Sequence, residues 1–247
     1  MALIFFLTTL LFHASGCSYL RTKEKVSLPA ADLLKKGNRE AKLKQYLNAQ
    51  DTYEQLLEDF PDSKERVLAL LYLADVLYKD EEYEEAKFNY EKFTELYPAH
   101  ALVDRAHFYK AMCDFKVMEI ASRDQTATHD ALEGFEKVIR DFPTSRYYKP
   151  AIEKKKKCLT HLAGNNMEIA KYYFRSGSYH SAINRFKYVL DEYPDQNFIE
   201  EAIFLLAESY YLEESYELAK QYYRDLLTQY PSTQFRKDAR KRLKKIR

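Results

Sequence analysis

Few residues in this sequence combine a reactive type with a spacing that supports catalysis. The six histidines are scattered, and none lies in an HExxH pattern or beside a second residue at metal-ligand spacing. The five glycines form neither G-x-G-x-x-G nor G-x-x-x-x-G-K-S/T, so they cannot build a phosphate-binding loop. The three cysteines form no CxxC pair and no Cys/His cluster. We therefore expect no catalytic residue, no metal and no cofactor.

Two charged runs are the remaining candidates for chemistry. The acidic run at 80–85 (DEEYEE) would suit a metal or acid–base catalysis, but its place at a turn and the start of a helix favours a solvated surface, where carboxylates complement the helix dipole. The run Lys154–Lys157 would suit phosphate, but four consecutive residues point around a helix instead of forming one face. The chain has 39 basic and 38 acidic residues, which gives no argument for a nucleic-acid partner.

The N-terminal residues carry a different kind of chemistry. The apolar stretch 2–12 is too short to span a bilayer, and small residues at 14–16 precede Cys17. This arrangement resembles a bacterial lipoprotein signal, which implies cleavage before Cys17 and lipidation of that residue. Residues 1–16 would then be the signal peptide and residues 17–29 a lipid-anchored tether. An ordinary secretory leader and a buried N-terminal helix are the alternatives.

The remainder of the chain is built on one helical pattern that occurs five times. Each copy has an alanine, an aromatic ring four residues later, a second ring at offset eleven and a proline at offset twelve. These positions lie on one face of an α-helix, and the proline ends the helix because it disfavours helical geometry in the residue before it. The anchor alanines are Ala49, Ala86, Ala131, Ala182 and Ala219.

A first helix precedes each of these second helices. Twelve residues before four of the anchors stands a small residue, which lets two antiparallel helices approach closely: Gly37, Ala74, Ala170 and Ala207. In the third copy Ala111 stands twenty residues before its anchor, so we expect an insertion of eight residues as a polar loop over about 121–129. The pattern is that of tetratricopeptide repeats. We predict an all-α fold, a right-handed superhelix (α-solenoid) of five such helix–turn–helix repeats.

The spacing between the third and fourth repeats predicts a long helix. Pro143 and Ala170 are 27 residues apart, whereas the corresponding separation is 13 in three other joins. The excess of 14 residues is close to four helical turns. We therefore expect a helix from about Tyr148 to Arg175 that joins repeats 1–3 (30–147) to repeats 4–5 (148–247).

A basic helix should follow the last repeat. Phe235, Ala239, Leu243 and Ile246 form an apolar stripe, and residues 235–247 contain eight basic residues and one acid. We interpret this segment as the helix that caps a repeat array; contact with anionic lipid or an acidic partner is the alternative.

Cys113 and Cys158 lie 45 residues apart in helical patterns. An oxidising compartment would permit a disulfide between them, but two buried thiols are the simpler interpretation.

The chain from about Leu28 to Phe235 resembles the BamD family of outer-membrane assembly lipoproteins, also called ComL or YfiO. The resemblance rests on Cys17, the five repeats, the insertion, the long helix and two segments: HDALEGFEKVIRDFPTSRY (129–147) and EIAKYYFRSGSYHSAINRFKYVLDEYPD (168–195). It implies a protein on the periplasmic face of the outer membrane, in the machine that folds β-barrel proteins into it. An alternative is another periplasmic repeat lipoprotein that acts as a cell-envelope or peptidoglycan-linked adaptor.

The same resemblance implies partners. Residues 148–247 would dock on the last periplasmic (POTRA) domain of a BamA-like barrel, beside other lipoproteins of the complex, and residues 30–147 would face unfolded barrel substrates. Arg185 corresponds to the arginine that contacts BamA in the family; an ordinary surface arginine is the alternative. For substrate we expect first-helix residues turned away from the core, namely Asn38, Asp75, Tyr78 and Lys79, although Tyr78 also fits the core.

Overall fold

The computed structural model describes residues 28–118 and 124–246, and in these ranges it consists of helices joined by short turns. The helices are α1 (Ala30–Lys42), α2 (Tyr46–Asp59), α3 (Glu65–Lys79), α4 (Tyr83–Leu96), α5 (Val103–Val117), α6 (Thr126–Asp141), α7 (Tyr148–Arg175), α8 (Tyr179–Glu192), α9 (Ile199–Leu212), α10 (Tyr216–Gln229) and α11 (Arg236–Lys245). The all-α repeat prediction is confirmed. The expected signal peptide (1–16), Cys17 and most of the expected tether (17–29) lie outside the described residues. None of the described helices is long and apolar enough to cross a bilayer.

Every second helix ends at the ring before its proline, as predicted. The five rings have φ between −127° and −133° and ψ between 54° and 72°, which lies outside helical geometry, and a following proline disfavours helical geometry in the residue before it. The turn from first to second helix passes through a residue with positive φ in four of the repeats: Lys44, Glu81, Gly177 and Glu214. The acidic run at 80–85 therefore occupies a turn and the start of α4, as expected.

The core lies where the repeated small residues and rings meet. All five anchor alanines are fully buried, and the ring four residues after each is at most 1% exposed. Their burial follows from the helix period, because offsets 0 and 4 face the preceding helix. The core is continuous along the array, since residues of one repeat also pack against the first helix of the next.

Two glycines allow the closest helix contacts. A Cβ atom added to Gly37 would lie 2.5 Å from Cε1 of Tyr53, and one added to Gly134 would lie 2.6 Å from Cβ of Ala111. Both distances are below normal van der Waals separation, so the α1–α2 and α5–α6 crossings depend on glycine.

Gly134→Ala is expected to lower the free energy of unfolding by about 1–2 kcal/mol, because overpacking outweighs the better helix propensity of alanine. The exchange Gly134→Ala with Ala111→Gly moves the methyl group across the interface. It should recover at least half of the loss, since the nearest remaining backbone atom, Cα of residue 111, is 3.3 Å away. Urea unfolding followed by circular dichroism measures both values. If the Gly134→Ala variant is as stable as the parent, the contact between residues 134 and 111 does not limit how closely α5 and α6 pack.

The long helix has the predicted bounds. α7 extends over 28 residues, Tyr148–Arg175, and remains helical through Gly164–Asn166. Ala151 and Cys158 pack in the core of the third repeat, whereas Met167 and Ala170 pack in the core of the fourth. One continuous helix therefore contributes to the cores on both sides of the join.

Two smaller expectations have different outcomes. The helix α6 begins at Thr126, so residues 126–129 are helical and the expected loop over 121–129 is too long at its C-terminal end; residues 119–123 are outside the described ranges.

Cys113 and Cys158 are free and buried, which confirms the interpretation as two thiols. Burial raises the pKa of each to about 12, so both stay protonated and unreactive.

Candidate interaction surfaces

Arg185 lies on the outer side of α8. It is exposed, while its neighbours Ala182, Phe186 and Val189 are buried. Its Nη1 atom donates to Oδ1 of Asn166 on α7 at 3.3 Å. This bond uses one of five N–H donors, so the guanidinium group can still bind a carboxylate of a partner through two parallel hydrogen bonds.

Asn166 is itself held in place, because its Nδ2 atom donates to the carbonyl oxygen of Leu162 at 2.9 Å. Its side chain therefore presents Oδ1 to Arg185 from a fixed helical position. The hydrogen bond therefore links the exposed side chain of Arg185 on α8 to the long helix α7.

The four substrate candidates differ in how exposed their side chains are. Asn38 and Lys79 are exposed. Asp75 is 8% exposed, and Tyr78 is half-buried with its ring edge-on to Tyr83 and Tyr109 at centroid distances of 5.5 and 5.3 Å. The substrate roles stay predictions, and only Asn38 and Lys79 offer accessible polar groups for them.

A recurring hydrogen bond from the tyrosine of a second helix to its first helix was missed by the sequence reasoning. The hydroxyl of Tyr53 donates to Oδ1 of Asn38 at 2.8 Å, that of Tyr90 donates to Oδ1 of Asp75 at 2.8 Å, and that of Tyr223 donates to Glu208. In each case the acceptor directly follows the small residue of the first helix. The signal was present in the sequence: where the ring is phenylalanine, at 135 and 186, the corresponding residues are Met112 and Lys171, which accept no such bond.

Two of these acceptors also bind an arginine from the second helix further along the chain. Nη2 of Arg105, on α5, lies 2.6 Å from Oδ2 of Asp75, on α3. Nε and Nη2 of Arg242, on α11, donate to the two carboxylate oxygens of Glu208, on α9, at 2.8 and 2.6 Å. The two clusters, which we call the Asp75 and Glu208 ties, therefore connect α3 with α5 and α9 with α11.

The electrostatics of the Asp75 tie follow from its burial. Burial raises the pKa of Asp75 above its ordinary value, and the charge of Arg105 and the hydroxyl of Tyr90 oppose that rise. A carboxylate in this setting depends on its hydrogen bonds. The raised pKa of Asp75 is therefore a consequence of its burial between the helices.

We expect Tyr90→Phe to lower the free energy of unfolding by about 2 kcal/mol, because it removes a hydrogen bond to a buried carboxylate. Tyr53→Phe is the matched control: its acceptor Asn38 is exposed and can bond to water instead, so the loss should be about 0.5–1 kcal/mol. Chemical denaturation of both variants gives the comparison. Equal losses would mean that burial of the acceptor does not matter.

A groove of about 370 Å³ with both acidic and basic residues lies between α4, α5 and α6. Lys87 lies 2.6 Å from Asp114 and 3.2 Å from Asp130, and Lys110 pairs with Glu91. Burial lowers the pKa of His107 to about 4, so this histidine is neutral at physiological pH. Each of the three lysines that line the groove, Lys87, Lys110 and Lys137, is paired with a carboxylate. Within residues 28–118 and 124–246, no group of three His, Cys, Asp or Glu residues is placed to hold a metal ion.

Comparison with known proteins relates this chain to one family. Residues 27–224 match the YfiO family, described as outer membrane lipoprotein. The outer membrane protein assembly factor BamD of Neisseria gonorrhoeae is 29% identical over 222 residues, covering 86% of this chain and 80% of the relative. BamD of Rickettsia prowazekii is also 29% identical, over 79% of this chain and 78% of the relative.

A third relative, BamD of Caulobacter vibrioides, is 30% identical over 77% of this chain and 60% of its own length. The TPR2AB domain of yeast Sti1 aligns with a TM-score of 0.44 and 16% identity, over 83% of this chain and 78% of the domain, which is too distant for further argument. The family match covers most of the chain, from the start of the first repeat into α10, the second helix of the fifth. The chain belongs to the YfiO family of outer membrane lipoproteins.

Proposed function

We propose that this chain is a non-catalytic lipoprotein scaffold of the complex that assembles β-barrel proteins into the outer membrane. Its relatives carry the name outer membrane protein assembly factor. The described part of the chain is an array of helix pairs with an extended surface, a form that binds proteins without reacting with them. The observation that supports the proposal most is the family match over residues 27–224.

The proposed roles of the two parts of the chain divide at the start of the long helix. Residues 148–247 dock on the last POTRA domain of a BamA-like barrel protein through Arg185, and other lipoproteins of the complex bind nearby. Residues 30–147 face unfolded barrel substrates, with Asn38 and Lys79 as the accessible polar contacts and Asp75 and Tyr78 behind them. The exposed guanidinium of Arg185, oriented by Asn166, is the structural support for the docking site.

Affinity capture tests this proposal. The tagged chain is purified from detergent-solubilised outer membranes, and the eluate is analysed by mass spectrometry. A barrel protein with POTRA domains should co-elute in near-equal amount. An eluate that instead holds peptidoglycan-binding proteins and no such barrel would favour the envelope-adaptor alternative.

The proposed anchor gives a prediction of its own. Cys17→Ser should abolish incorporation of labelled palmitate and release the chain from membranes washed with urea, because a peptide held only by protein contacts is extracted. Ser18→Ala is the matched control and should keep both properties. Palmitate labelling of the Cys17→Ser variant at the level of the parent would refute an anchor at this residue.

A further inference from the structure

The terminal helix α11 has two sides of opposite character. On one side Ala239 is fully buried, and Leu243 and Ile246 pack against the core of the last two repeats. Phe235, at the N-terminal boundary of the helix, stacks on Phe204 with a centroid distance of 4.6 Å. This side covers the end of the repeat array.

The other side carries two parallel rows of cations. Residues 236, 240 and 244 form one row and residues 237, 241 and 245 the other, and all six side chains are exposed. Within a row, successive cations are about 6 Å apart along the helix, because each residue rises about 1.5 Å. With Gln234 the six residues line a shallow, open depression of about 740 Å³. We call this the α11 basic face.

The cations of this face differ from the half-buried lysines of the array. Lys87 and Lys171 are each within 3 Å of a carboxylate oxygen on another helix. Among the ion pairs of the described residues, none involves any of the six cations of the α11 basic face. Asp238 is the one acid in the helix, so it cannot neutralise the cations of both rows. The cations four residues apart within each row therefore repel one another.

An external anionic surface would relieve this repulsion. The net charge of the whole chain is only +1, so the excess of positive charge is local to α11 and balanced elsewhere. Four of the six cations are lysines, which act as point charges on flexible stems and do not need an oriented partner. The arginine that is positioned by neighbours, Arg242, points inward to Glu208.

We propose that the α11 basic face binds the surface of an anionic phospholipid membrane. Two open rows of flexible cations fit an extended plane of phosphates better than a folded acidic protein, which would require a socket and fixed partners. The apolar side of α11 packs against the repeat core and cannot insert into lipid. The contact between the α11 basic face and the membrane is therefore electrostatic and stays at the level of the phosphates. The proposal relies on the proposed function only in placing the chain beside a membrane.

Vesicle binding of the full chain tests this contact. Partition is measured for vesicles of phosphatidylcholine alone and of phosphatidylcholine with phosphatidylglycerol, and the readout is the ratio of the two, which cancels attachment through the N-terminal segment. The variant Lys237→Gln/Lys241→Gln/Lys245→Gln should lower this ratio by roughly a hundredfold, since each basic residue near an anionic surface contributes roughly a fivefold gain. High salt should lower it in the parent as well.

The control variant makes the same charge change elsewhere. Lys149→Gln/Lys156→Gln/Lys157→Gln removes three exposed lysines from α7 and should leave the ratio within about twofold of the parent. A ratio unchanged in the α11 variant, or reduced equally in both variants, would overturn the proposal. Binding to polyglutamate without any preference for anionic vesicles would also overturn it, in favour of an acidic protein partner.

Capture of the barrel protein is a separate readout in the same variants. The α11 variant should still co-elute with the barrel protein, because Arg185 is unchanged. If the parent chain fails to capture the barrel protein but keeps its preference for anionic vesicles, the proposed function is contradicted and the membrane contact still stands.

Discussion

Arg242→Met is expected to lower the free energy of unfolding by about 3 kcal/mol and to release α11 from the last repeat. The substitution keeps much of the apolar stem but removes both hydrogen bonds to Glu208, which is 7% exposed. A buried carboxylate that loses its cation is strongly destabilising, because the remaining bond from Tyr223 does not replace the charge. The packing of the arginine over the ring of Tyr211, at 4.1 Å, is lost as well.

Arg240→Met is the matched control in the same helix. Arg240 is exposed and belongs to the α11 basic face, so its loss should change the free energy of unfolding by less than about 0.5 kcal/mol. Urea denaturation gives both values, and hydrogen exchange of α11 shows whether the helix opens locally. Equal effects of the two substitutions would mean that the Glu208 tie contributes no more than a surface charge.

Arg185→Glu should reduce co-purification of the BamA-like barrel protein at least tenfold while leaving the fold intact. The reversal replaces attraction with repulsion at the proposed contact, and like charges across an interface cost several kcal/mol. The side chain makes one hydrogen bond, to Asn166, so the substitution should change the free energy of unfolding only slightly. Repulsion of this kind is screened by salt, so the effect should be largest at low ionic strength.

Arg39→Glu supplies the comparison for this charge reversal. Arg39 is an exposed arginine of α1, in the first repeat, far along the chain from the proposed docking site. Its reversal should leave capture of the barrel protein unchanged. Equal capture by the Arg185→Glu variant and the parent would remove Arg185 from the proposed contact.

Repetition explains why so much of the fold was predictable. The proline at offset twelve and the small residue of each first helix fix where helices end and touch, and the excess of 14 residues between Pro143 and Ala170 gave the bounds of α7. These features are local, and helix geometry converts them directly into positions. The start of α6 was misplaced because polarity alone does not distinguish a loop from an exposed first turn.

The positions that were harder to predict involve contacts between repeats. Helical position alone placed Asp75 on an open face, yet Arg105 from the next repeat covers it and Tyr90 bonds to it. The same holds for Glu208, whose partner Arg242 lies 34 residues further along the chain. A pattern read within one repeat does not contain the side chains that the neighbouring repeat contributes.

The structure connects rigidity with the proposed role. The Asp75 tie couples α3 to α5, the Glu208 tie couples α9 to α11, and α7 contributes to the cores on both sides of its join. A scaffold that holds a substrate region and a docking region at a set separation requires such continuity. The proposed sites at Arg185 and on α11 then lie on exposed surfaces of an array held together from within.

Depletion of the chain in living cells tests the central claim, its role in β-barrel assembly, most directly. The folded fraction of outer-membrane β-barrel proteins is followed by heat-modifiable gel mobility as the protein is depleted, and then restored with the parent or with the Arg185→Glu variant. We expect folded barrels to decline with depletion, to recover fully with the parent and to recover poorly with the variant. Barrels that stay folded while the chain is absent would contradict its assignment as an assembly factor.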